Sequence, residues 1–439
     1  MISTLAVRVP GLLSLSFLLF TCDQGRTPLT KSDSLSAATF SSERAKSAYD
    51  FVNSIGVNTH LNYFDRTYGN FQLVERELKS ICIRHVRDGI HLMNADYNKA
   101  VYSRWSQLGD AGIRFDAVLD PRSNLGPLTP DKLNQINALS NYTIESFEGP
   151  NEMDISNTPD WQSVDRTFEA EIYKTVKSMK AATSIGVIGP SLANAANGLR
   201  VGNMSDDMDY GNLHPYPAAK MPSAVFPEQS LLAKAVSRNR KVFITESGYH
   251  NALHDSSDQP AVSESAAAKY IPRLFIENFL HDIPRTYLYE FLDEAPDPGL
   301  TSFQMHWGLV RSDGSEKPAF TAVKNLISEL NDSTEPASLK ELAYSLNAQS
   351  ASIHHLLLQK SDGQFYLILW QEVPSYDYQH QRDIAVSPQP VTLTLQQNAK
   401  AVSTYEPTVV SQPLQVYKNV ASVPLQVPDH PLVVQIRAD

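Results

Sequence analysis

Short hydrophobic runs recur about every thirty residues between positions 55 and 291, separated by segments with helical spacing of apolar side chains. Several runs are apolar throughout their centres, as expected for strands that are covered on both faces. We predict eight strands, at Ile55–His60, Ile83–Asp88, Ile113–Leu119, Thr143–Gly149, Ile185–Pro190, Met208–His214, Lys241–Glu246 and Arg285–Phe291.

The segments between these strands are predicted to be helices. Phe71–Cys82 places Val74, Leu78 and Ile81 on one stripe, and Thr129-Pro130 supplies an N-cap followed by a proline at the first helical position. Eight strand–helix repeats predict a (β/α)8 barrel, the TIM-barrel fold, over residues 45–335. A doubly wound open sheet is the alternative, but such sheets usually carry a glycine-rich phosphate turn after the first strand, which this sequence lacks.

The pattern changes in residues 336–439, where helical spacing gives way to short β-rich runs separated by polar turns such as Ser361-Asp362-Gly363. This pattern predicts a C-terminal antiparallel β-sandwich with a structural role. The predicted strands are Ala351–Leu358, Gln364–Trp370, Pro390–Leu395, Ala401–Tyr405, Ser422–Gln426 and Leu432–Ile436.

The N-terminus has the features of an export signal. Arg8 precedes the apolar run Gly11–Phe20, which is about half the length that a membrane-spanning helix needs. We therefore expect a signal peptide over residues 1–22, a polar linker over 23–44, and a secreted, periplasmic or cell-surface protein. Cys22 loosely resembles the lipidated cysteine of bacterial lipoproteins, so a lipid anchor at this residue is the one membrane attachment that the sequence suggests.

Composition narrows the possible partners. The 439 residues include 37 Lys and Arg against 48 Asp and Glu, and this net charge of −11 would repel the phosphate backbone of nucleic acids. Two cysteines provide neither a disulfide framework nor a cysteine-based zinc site. We expect a monomer without a cofactor or metal.

In a (β/α)8 barrel the reacting groups lie at the C-terminal ends of the strands, where the loops converge. The polar residues that end the predicted strands are therefore the candidates for chemistry. They are Asn58 and His60 after the first strand, Arg87 at the second, Asn151 and Glu152 after the fourth, His214 and Tyr216 at the sixth, Glu246 at the seventh and Tyr289 at the eighth.

Two of these candidates, Glu152 and Glu246, are carboxylates that the barrel would bring to one mouth. In glycoside hydrolysis one carboxyl group protonates the departing sugar oxygen, while the other attacks the anomeric carbon or activates water. An arginine and a tyrosine hydroxyl beside the attacking carboxylate would keep it ionised and oriented. The set predicts cleavage of a glycosidic bond.

The Asn151-Glu152 pair after strand four, Glu246 at strand seven and the His214-x-Tyr216 segment resemble the pattern of the clan A glycoside hydrolases. Members of that clan are (β/α)8 enzymes, in several families followed by a β-sandwich, that cleave β-glycosidic bonds with retention of configuration. The resemblance covers roughly residues 45 to 330. It implies that Glu152 is the general acid/base and Glu246 the nucleophile.

The resemblance also implies supporting roles. Asn151 would hydrogen-bond the sugar 2-hydroxyl, Arg87 would support the nucleophile, and Tyr216 with His214 would complete its surroundings. The common Trp-Asn-Glu-Pro motif is replaced here by Pro150-Asn151-Glu152-Met153. Strand eight lacks the frequent terminal tryptophan, so Tyr289 or Phe291 is expected as the sugar-stacking surface.

Several positions have alternatives. Glu148 competes with Glu152 for the acid role but is expected to bond locally at the strand end. Arg84 competes with Arg87, and strand alternation places the two on opposite faces. For Asn58, His60 and His85, a hydrogen-bonded role within the barrel is as good an interpretation as substrate contact.

The tryptophans allow two interpretations, as sugar-stacking platforms or as core. Trp161, after strand four, and Trp307, after strand eight, are candidates for the cleft, whereas Trp105 is open between the two roles and Trp370 is expected in the sandwich core. Polar loops are expected to leave His250, His254 and the acidic group Asp293, Glu294 and Asp297 solvated.

The sequence therefore predicts an exported retaining glycoside hydrolase that acts on an oligo- or polysaccharide. The alternative is a carbohydrate-binding surface protein that keeps the barrel without the activity. The presence of both carboxylates favours the enzyme.

Overall fold

The computed structural model describes residues 40–123, 125–179 and 184–438. The expected signal peptide, Cys22 and residues 23–39 of the expected linker lie outside these ranges. No helix in the described ranges is both long and apolar enough to cross a membrane.

Eight parallel strands form the predicted barrel, and each coincides with one of the eight hydrophobic runs to within one residue at its C-terminal end or lies inside it. Seven neighbouring pairs are joined along the order β7-β6-β5-β4-β3-β10-β9-β8, and a parallel bridge between Ile188 and Tyr210 joins the two ends. The predicted fold class is thereby confirmed. The barrel strands are β3 (Ile55–Asn58), β4 (His85–Gly89), β5 (Arg114–Val118), β6 (Ile144–Glu148), β7 (Gly186–Ile188), β8 (Gly211–Leu213), β9 (Val242–Ser247) and β10 (Thr286–Leu288).

Helices alternate with these strands, and their starts follow the capping signals in the sequence. The Asn70 side chain accepts from the Leu73 amide, and the Thr129 hydroxyl accepts from the Lys132 amide. The helices are α1 (Ala48–Asn53), α2 (Phe71–Ile81), α3 (Ala95–Asp110), α4 (Pro130–Leu139), α5 (Trp161–Ser178), α6 (Gly198–Val201), α7 (Phe226–Ser237), α8 (Glu264–Leu280) and α9 (Pro318–Leu330).

The second sheet is antiparallel except for one short parallel pairing, and alternate side chains along its strands form a separate hydrophobic core. Its strand order is β1-β11-β16-β18-β13-β12-β2, with β17 paired to β16. Its strands are β1 (Ser41–Arg44), β2 (Lys46–Ser47), β11 (Glu341–Ala348), β12 (Ile353–Gln359), β13 (Phe365–Gln371), β16 (Gln389–Tyr405), β17 (Gln415–Val427) and β18 (Leu432–Arg437), and a small hairpin is formed by β14 (Tyr376–Asp377) and β15 (Arg382–Asp383).

Two details of this sheet differ from the sequence prediction. The runs Pro390–Leu395 and Ala401–Tyr405 belong to one long strand, β16, whose pairing with β17 shifts register between Thr394 and Ala399. The end of the expected linker is also a strand, because Ser41–Arg44 pairs antiparallel with β11. The polar side chains of β1 gave no hydrophobic signal, since an edge strand is held mainly by its backbone.

A buried ion pair fastens the barrel to the sandwich. Arg273 of α8 is fully buried and binds Glu372, just after β13, through Nε at 2.9 Å and Nη2 at 2.7 Å. The indole N–H of Trp370 donates to Glu277 and Glu372, so this tryptophan lies in the core between the two domains.

Candidate active site

An open cleft of about 840 Å³ lies at the C-terminal ends of the barrel strands. Loops after most of the strands contribute to its walls, in agreement with the general location of active sites in this fold. The residues that line it include Asn58, His60, Tyr63, Arg87, Met93, Asp120, Arg122, Asn151, Glu152, Ile155, Tyr216, Glu246, Tyr289 and Trp307.

Glu246 lies near the end of β9 and is held from two sides. Arg87 Nη1 donates to its Oε1 at 2.6 Å, and the Tyr216 hydroxyl donates to its Oε2 at 2.7 Å. Burial alone would raise the pKa of Glu246, but the positive charges of His214 and Arg87, with the Tyr216 hydrogen bond, hold that pKa below its usual value. The structure therefore keeps this carboxylate ionised and fixed in orientation.

Glu152 lies across the cleft from Glu246, in the loop after β6. Its backbone adopts the left-handed conformation, with φ 47° and ψ 48°, which is uncommon for a residue other than glycine. One carboxyl oxygen of Glu152 and one of Glu246 lie within 4.8 Å of each other. The two carboxylates thus share one cleft, and the side chain of Glu152 is 20% exposed against 11% for Glu246.

His214 lies beneath both carboxylates. Its Nδ1 is 2.8 Å from Glu152 Oε1 and 3.6 Å from Glu246 Oε2, and its Nε2 is 2.9 Å from Thr245 Oγ1. The Thr245 hydroxyl donates to Asn212 Oδ1 and is thus free to accept from Nε2–H. Burial opposes the charged form of His214, but the charges of Glu246 and Glu152 outweigh it and raise the His214 pKa.

All five N–H groups of Arg87 have acceptors. Nε and Nη2 bind the two oxygens of Glu148 at 2.8 and 2.7 Å, Nη1 also donates to Asn58 Oδ1, and Nη2 also donates to Asn151 Oδ1. Glu148 is fully buried, and its carboxylate is occupied by this fork. The structure places Glu148 below the cleft and Arg87 at its floor, whereas Arg84 binds Asn331 on the outside.

Asn151 and Asn58 both use their side chains within the protein. Besides Arg87, Asn151 Oδ1 accepts from the Ser191 hydroxyl. Asn58 lies beside Arg87 in the β3–β4 register and donates through Nδ2 to the carbonyls of Thr245 and Leu288. Both residues line the cleft, but the side-chain oxygen and nitrogen of Asn58 are already bound within the barrel.

Aromatic side chains form the wall near Glu246. Tyr289 hydrogen-bonds His60 Nε2 at 3.2 Å, and Trp307 packs edge-on against Tyr216 with ring centroids 5.1 Å apart. Burial lowers the pKa of His60 to about 4, so this side chain is neutral at physiological pH. Phe291 is fully buried, whereas Tyr289 is half-buried and Trp307 is 4% exposed, and both of these rings line the cleft.

Trp161, a candidate for the cleft, is not among the residues that line it. It begins α5 and packs in a hydrophobic cluster with Met153, Leu192 and Met204, under the guanidinium of Arg200. The loop after β6 brings apolar neighbours to this ring, so burial decides its position. Trp105 is likewise core, since it is stacked on Phe115 with centroids 4.2 Å apart.

The loop residues expected to be solvated are mostly buried. Asp293 accepts from Lys317 Nζ at 2.8 Å, and Glu294 is paired with Arg66. His250 is 1% exposed, and its Nε2 lies 2.6 Å from the Gln259 carbonyl. Ion pairs and backbone groups that are distant in sequence supply the partners that make this burial possible.

The end of β5 contributes two polar residues to the cleft that are not among the candidates predicted from the sequence. Asp120 and Arg122 form an ion pair there, and Arg122 also donates to the Asn151 carbonyl. Reacting groups in this fold lie at the C-terminal ends of the strands, so the position of Asp120 and Arg122 just after β5 was the signal that could have identified them. Met93 and Ile155, 71% and 68% exposed, add an apolar rim that no sequence pattern marked.

Two groups in the described residues have the spacing of metal ligands, Glu152 with His214 and Glu246, and His60 with Glu290 and Glu294. In both, protein cations or hydroxyls already contact the carboxylates. Arg87 and Tyr216 bind Glu246, and the Tyr68 hydroxyl donates to Glu290 at 2.9 Å.

Comparisons with known proteins give structural but no sequence matches. No protein-family model matches the sequence, and no curated protein sequence is significantly similar to it.

Solved structures with a similar fold include three glycoside hydrolases. A family 39 enzyme from the gut symbiont Bacteroides cellulosilyticus aligns with a TM-score of 0.61 and 15% identity, covering 90% of this chain and 83% of that one. A monomeric β-xylosidase from Caulobacter crescentus gives 0.58 and 14%, covering 90% and 98%. A glucosidase from Croceicoccus marinus gives 0.55 and 12%, covering 83% and 92%. The chain therefore has the fold of these enzymes, barrel and sandwich together.

Proposed function

We propose that the protein is a retaining β-glycosidase in which Glu246 is the nucleophile and Glu152 the general acid/base. The observation that carries this proposal is the approach of the two carboxylates, with oxygens within 4.8 Å across one cleft. Retaining enzymes place these groups about 5–5.5 Å apart, whereas inverting enzymes leave about 6.5–9.5 Å for a water molecule.

The surroundings of the two carboxylates support this assignment of roles. Arg87 and Tyr216 keep Glu246 charged and aimed, as the attack on an anomeric carbon requires. Glu152 is more exposed than Glu246, and among the described residues the charged side chain within hydrogen-bonding distance of its carboxyl group is His214. Glu152 is therefore the group suited to exchange a proton with the leaving group and with water.

In the first step Glu246 forms a bond to the anomeric carbon while the bond to the leaving oxygen breaks. That oxygen keeps the bonding electron pair and takes the proton of Glu152. In the second step Glu152 removes a proton from water, whose oxygen attacks the same carbon and releases Glu246. Two inversions restore the β-configuration.

For the substrate we propose a β-linked oligo- or polysaccharide, bound with its pyranose ring against Tyr289 and Trp307. The structural neighbours include a β-xylosidase and a glucosidase, so β-xylosides and β-glucosides are the first substrates to test. Export is proposed from Arg8 and the apolar run Gly11–Phe20.

A screen of 4-nitrophenyl glycosides and polysaccharides tests the function. Wild-type protein should hydrolyse a β-glycoside, with the β-anomer as the first product by NMR, and Glu246→Gln should reduce turnover by at least about 10⁴-fold without unfolding. The matched control is Glu228→Gln, an exposed glutamate on α7, which should keep wild-type activity. Binding of a glycan without hydrolysis would instead favour the carbohydrate-binding alternative, and an α-anomeric first product would contradict retention.

A further inference from the structure

Asp120 and Arg122, two residues just beyond β5, form a rigid unit beside the backbone of Asn151. Arg122 Nε donates to Asp120 Oδ1 at 2.8 Å, its Nη2 contacts Asp120 Oδ2, and its backbone amide also donates to Asp120 Oδ1 at 2.8 Å. Asp120 is 7% exposed, whereas the Arg122 side chain is 45% exposed in the cleft. The aspartate therefore fixes the direction of a guanidinium that would otherwise be free to move.

This unit holds the peptide group that leads into Glu152 from one side. Asp120 Oδ2 accepts from the Asn151 amide at 3.2 Å, and Arg122 Nη2 donates to the Asn151 carbonyl. On the other side the Ser191 carbonyl accepts from the Glu152 amide at 3.1 Å. Every backbone hydrogen-bonding group between the Asn151 amide and the Glu152 amide thus has a partner.

The conformation that these contacts hold is an unfavourable one. Glu152 has φ 47°, and a non-glycine residue stays in this strained region only where its surroundings impose it. Among the described residues, the side chain that hydrogen-bonds the Glu152 carboxyl group is that of His214. The direction of the Glu152 carboxyl is therefore set mainly by the backbone beneath it.

We propose that the Asp120–Arg122 pair is a positioning device for the general acid/base, acting through the Asn151–Glu152 backbone. This inference rests on the proposed function of Glu152. Without the pair, Glu152 relaxes from its left-handed conformation and its carboxyl group moves away from the leaving oxygen. A misplacement of about 1 Å is enough to cost about 10²-fold in rate.

The dependence on the leaving group separates this role from a general structural one. When the glycosidic bond breaks, a phenolate needs the proton of Glu152, whereas a 2,4-dinitrophenolate leaves without it. For Arg122→Gln and Asp120→Asn, we expect kcat/KM for the phenyl β-glycoside to fall at least about tenfold more than for the 2,4-dinitrophenyl β-glycoside of the same sugar. Arg122→Lys, which retains one donor toward the Asn151 carbonyl, should give an intermediate ratio. Arg114→Gln, an exposed arginine at the opposite end of the same strand, is the control and should change neither value.

Azide provides a second kinetic readout, because it attacks the glycosyl-enzyme without needing a base. It should raise kcat of Arg122→Gln on the dinitrophenyl substrate and give the β-glycosyl azide, while leaving the wild type unchanged. Equal losses on both substrates with no effect of azide would overturn the proposal, since they indicate loss of fold or of sugar binding.

Hydrogen exchange tests the same device without any substrate. In Arg122→Gln the amides of Glu152 and Met153 should exchange faster, while those of β9 around Glu246 keep wild-type protection. Unchanged exchange at Glu152 would overturn the positioning role even if activity fell. A wild-type protein that turned over no glycoside would count against the proposed function, and the exchange result would still decide whether the pair holds this backbone.

Discussion

Arg87 forms a bidentate ion pair with Glu148 at the floor of the cleft, from Nε to Oε2 at 2.8 Å and from Nη2 to Oε1 at 2.7 Å. The remaining N–H groups of the same guanidinium reach Glu246, Asn58 and Asn151. One buried cation therefore anchors a structural carboxylate and orients the proposed nucleophile. Because both of its oxygens bind Arg87, Glu148 is unavailable as the proposed acid, although it is close to Glu152 in sequence.

The substitution Arg87→Lys tests whether Arg87 binds Glu148 and Glu246 at the same time. An ammonium group has three donors on a flexible chain and cannot reproduce the planar fork of arginine. Because Arg87 helps to keep the pKa of Glu246 low, its weakening should raise that pKa and move the acid limb of the kcat/KM profile to higher pH. An unchanged acid limb would show that Arg87 does not control the ionisation of Glu246. Arg84→Lys, on the outer face of the barrel, is the matched control.

Tyr216→Phe removes the hydroxyl that donates to Glu246 Oε2. A hydrogen bond to a charged group contributes roughly 1.5–3 kcal/mol, so kcat should fall by about one to two orders of magnitude. The loss should be accompanied by a higher pKa on the acid limb, because this bond also lowers the pKa of Glu246. Tyr142→Phe, at an exposed turn, should behave as wild type. A Tyr216→Phe enzyme with normal kcat would remove this contact from the mechanism.

Thermal unfolding should depend on pH through Asp165. Burial raises the pKa of this carboxyl to about 8, and neither of its oxygens has a hydrogen-bond partner within the described residues. Between about pH 4 and pH 8 the folded protein keeps a proton that the unfolded chain has released, so stability falls as pH rises through this window and levels off above it. Asp165→Asn should raise the melting temperature at pH 8 and flatten the slope. Asp206→Asn, at an exposed position, should leave the slope intact, and an Asp165→Asn slope equal to that of the wild type would contradict the assignment.

The contact between the domains predicts a stability effect at Arg273. Arg273→Met would leave Glu372 buried without its cation, which typically costs about 3–5 kcal/mol. Urea unfolding followed by circular dichroism should show this loss, or a separate early transition of the sandwich. Arg382→Met breaks an exposed pair with Asp377 and should leave the urea midpoint close to that of the wild type. Similar midpoints for the two variants would mean that the interface contributes little.

The barrel was predictable from the sequence because its strands are largely buried and recur as short runs with apolar residues about every thirty positions. The same regularity identified the strand ends, which is why Arg87, Glu152, His214, Tyr216 and Glu246 all meet in the structure. Other positions depend on tertiary neighbours that a single sequence does not reveal.

Three examples illustrate this dependence on tertiary neighbours. Trp161 begins α5 just after the loop that follows β6, and the direction of its ring follows from apolar residues on other elements. Asp293 and Glu294 are buried because Lys317 and Arg66 neutralise them. The strand Ser41–Arg44 carries no apolar pattern at all, because its partner, β11, binds its backbone.

That strand also governs how the chain can be divided. Ser41 lies opposite Tyr344 in the sheet, 303 positions further along. During synthesis β1 can therefore pair with β11 only after the whole barrel has left the ribosome. A fragment that starts near residue 336 would expose the unpaired edge of β11 to solvent. The complementary fragment, which contains the barrel, would keep strand β1 without its partner. Circular permutation that joins the two termini and opens a barrel loop would keep this sheet contiguous, whereas cutting between the apparent domains would not.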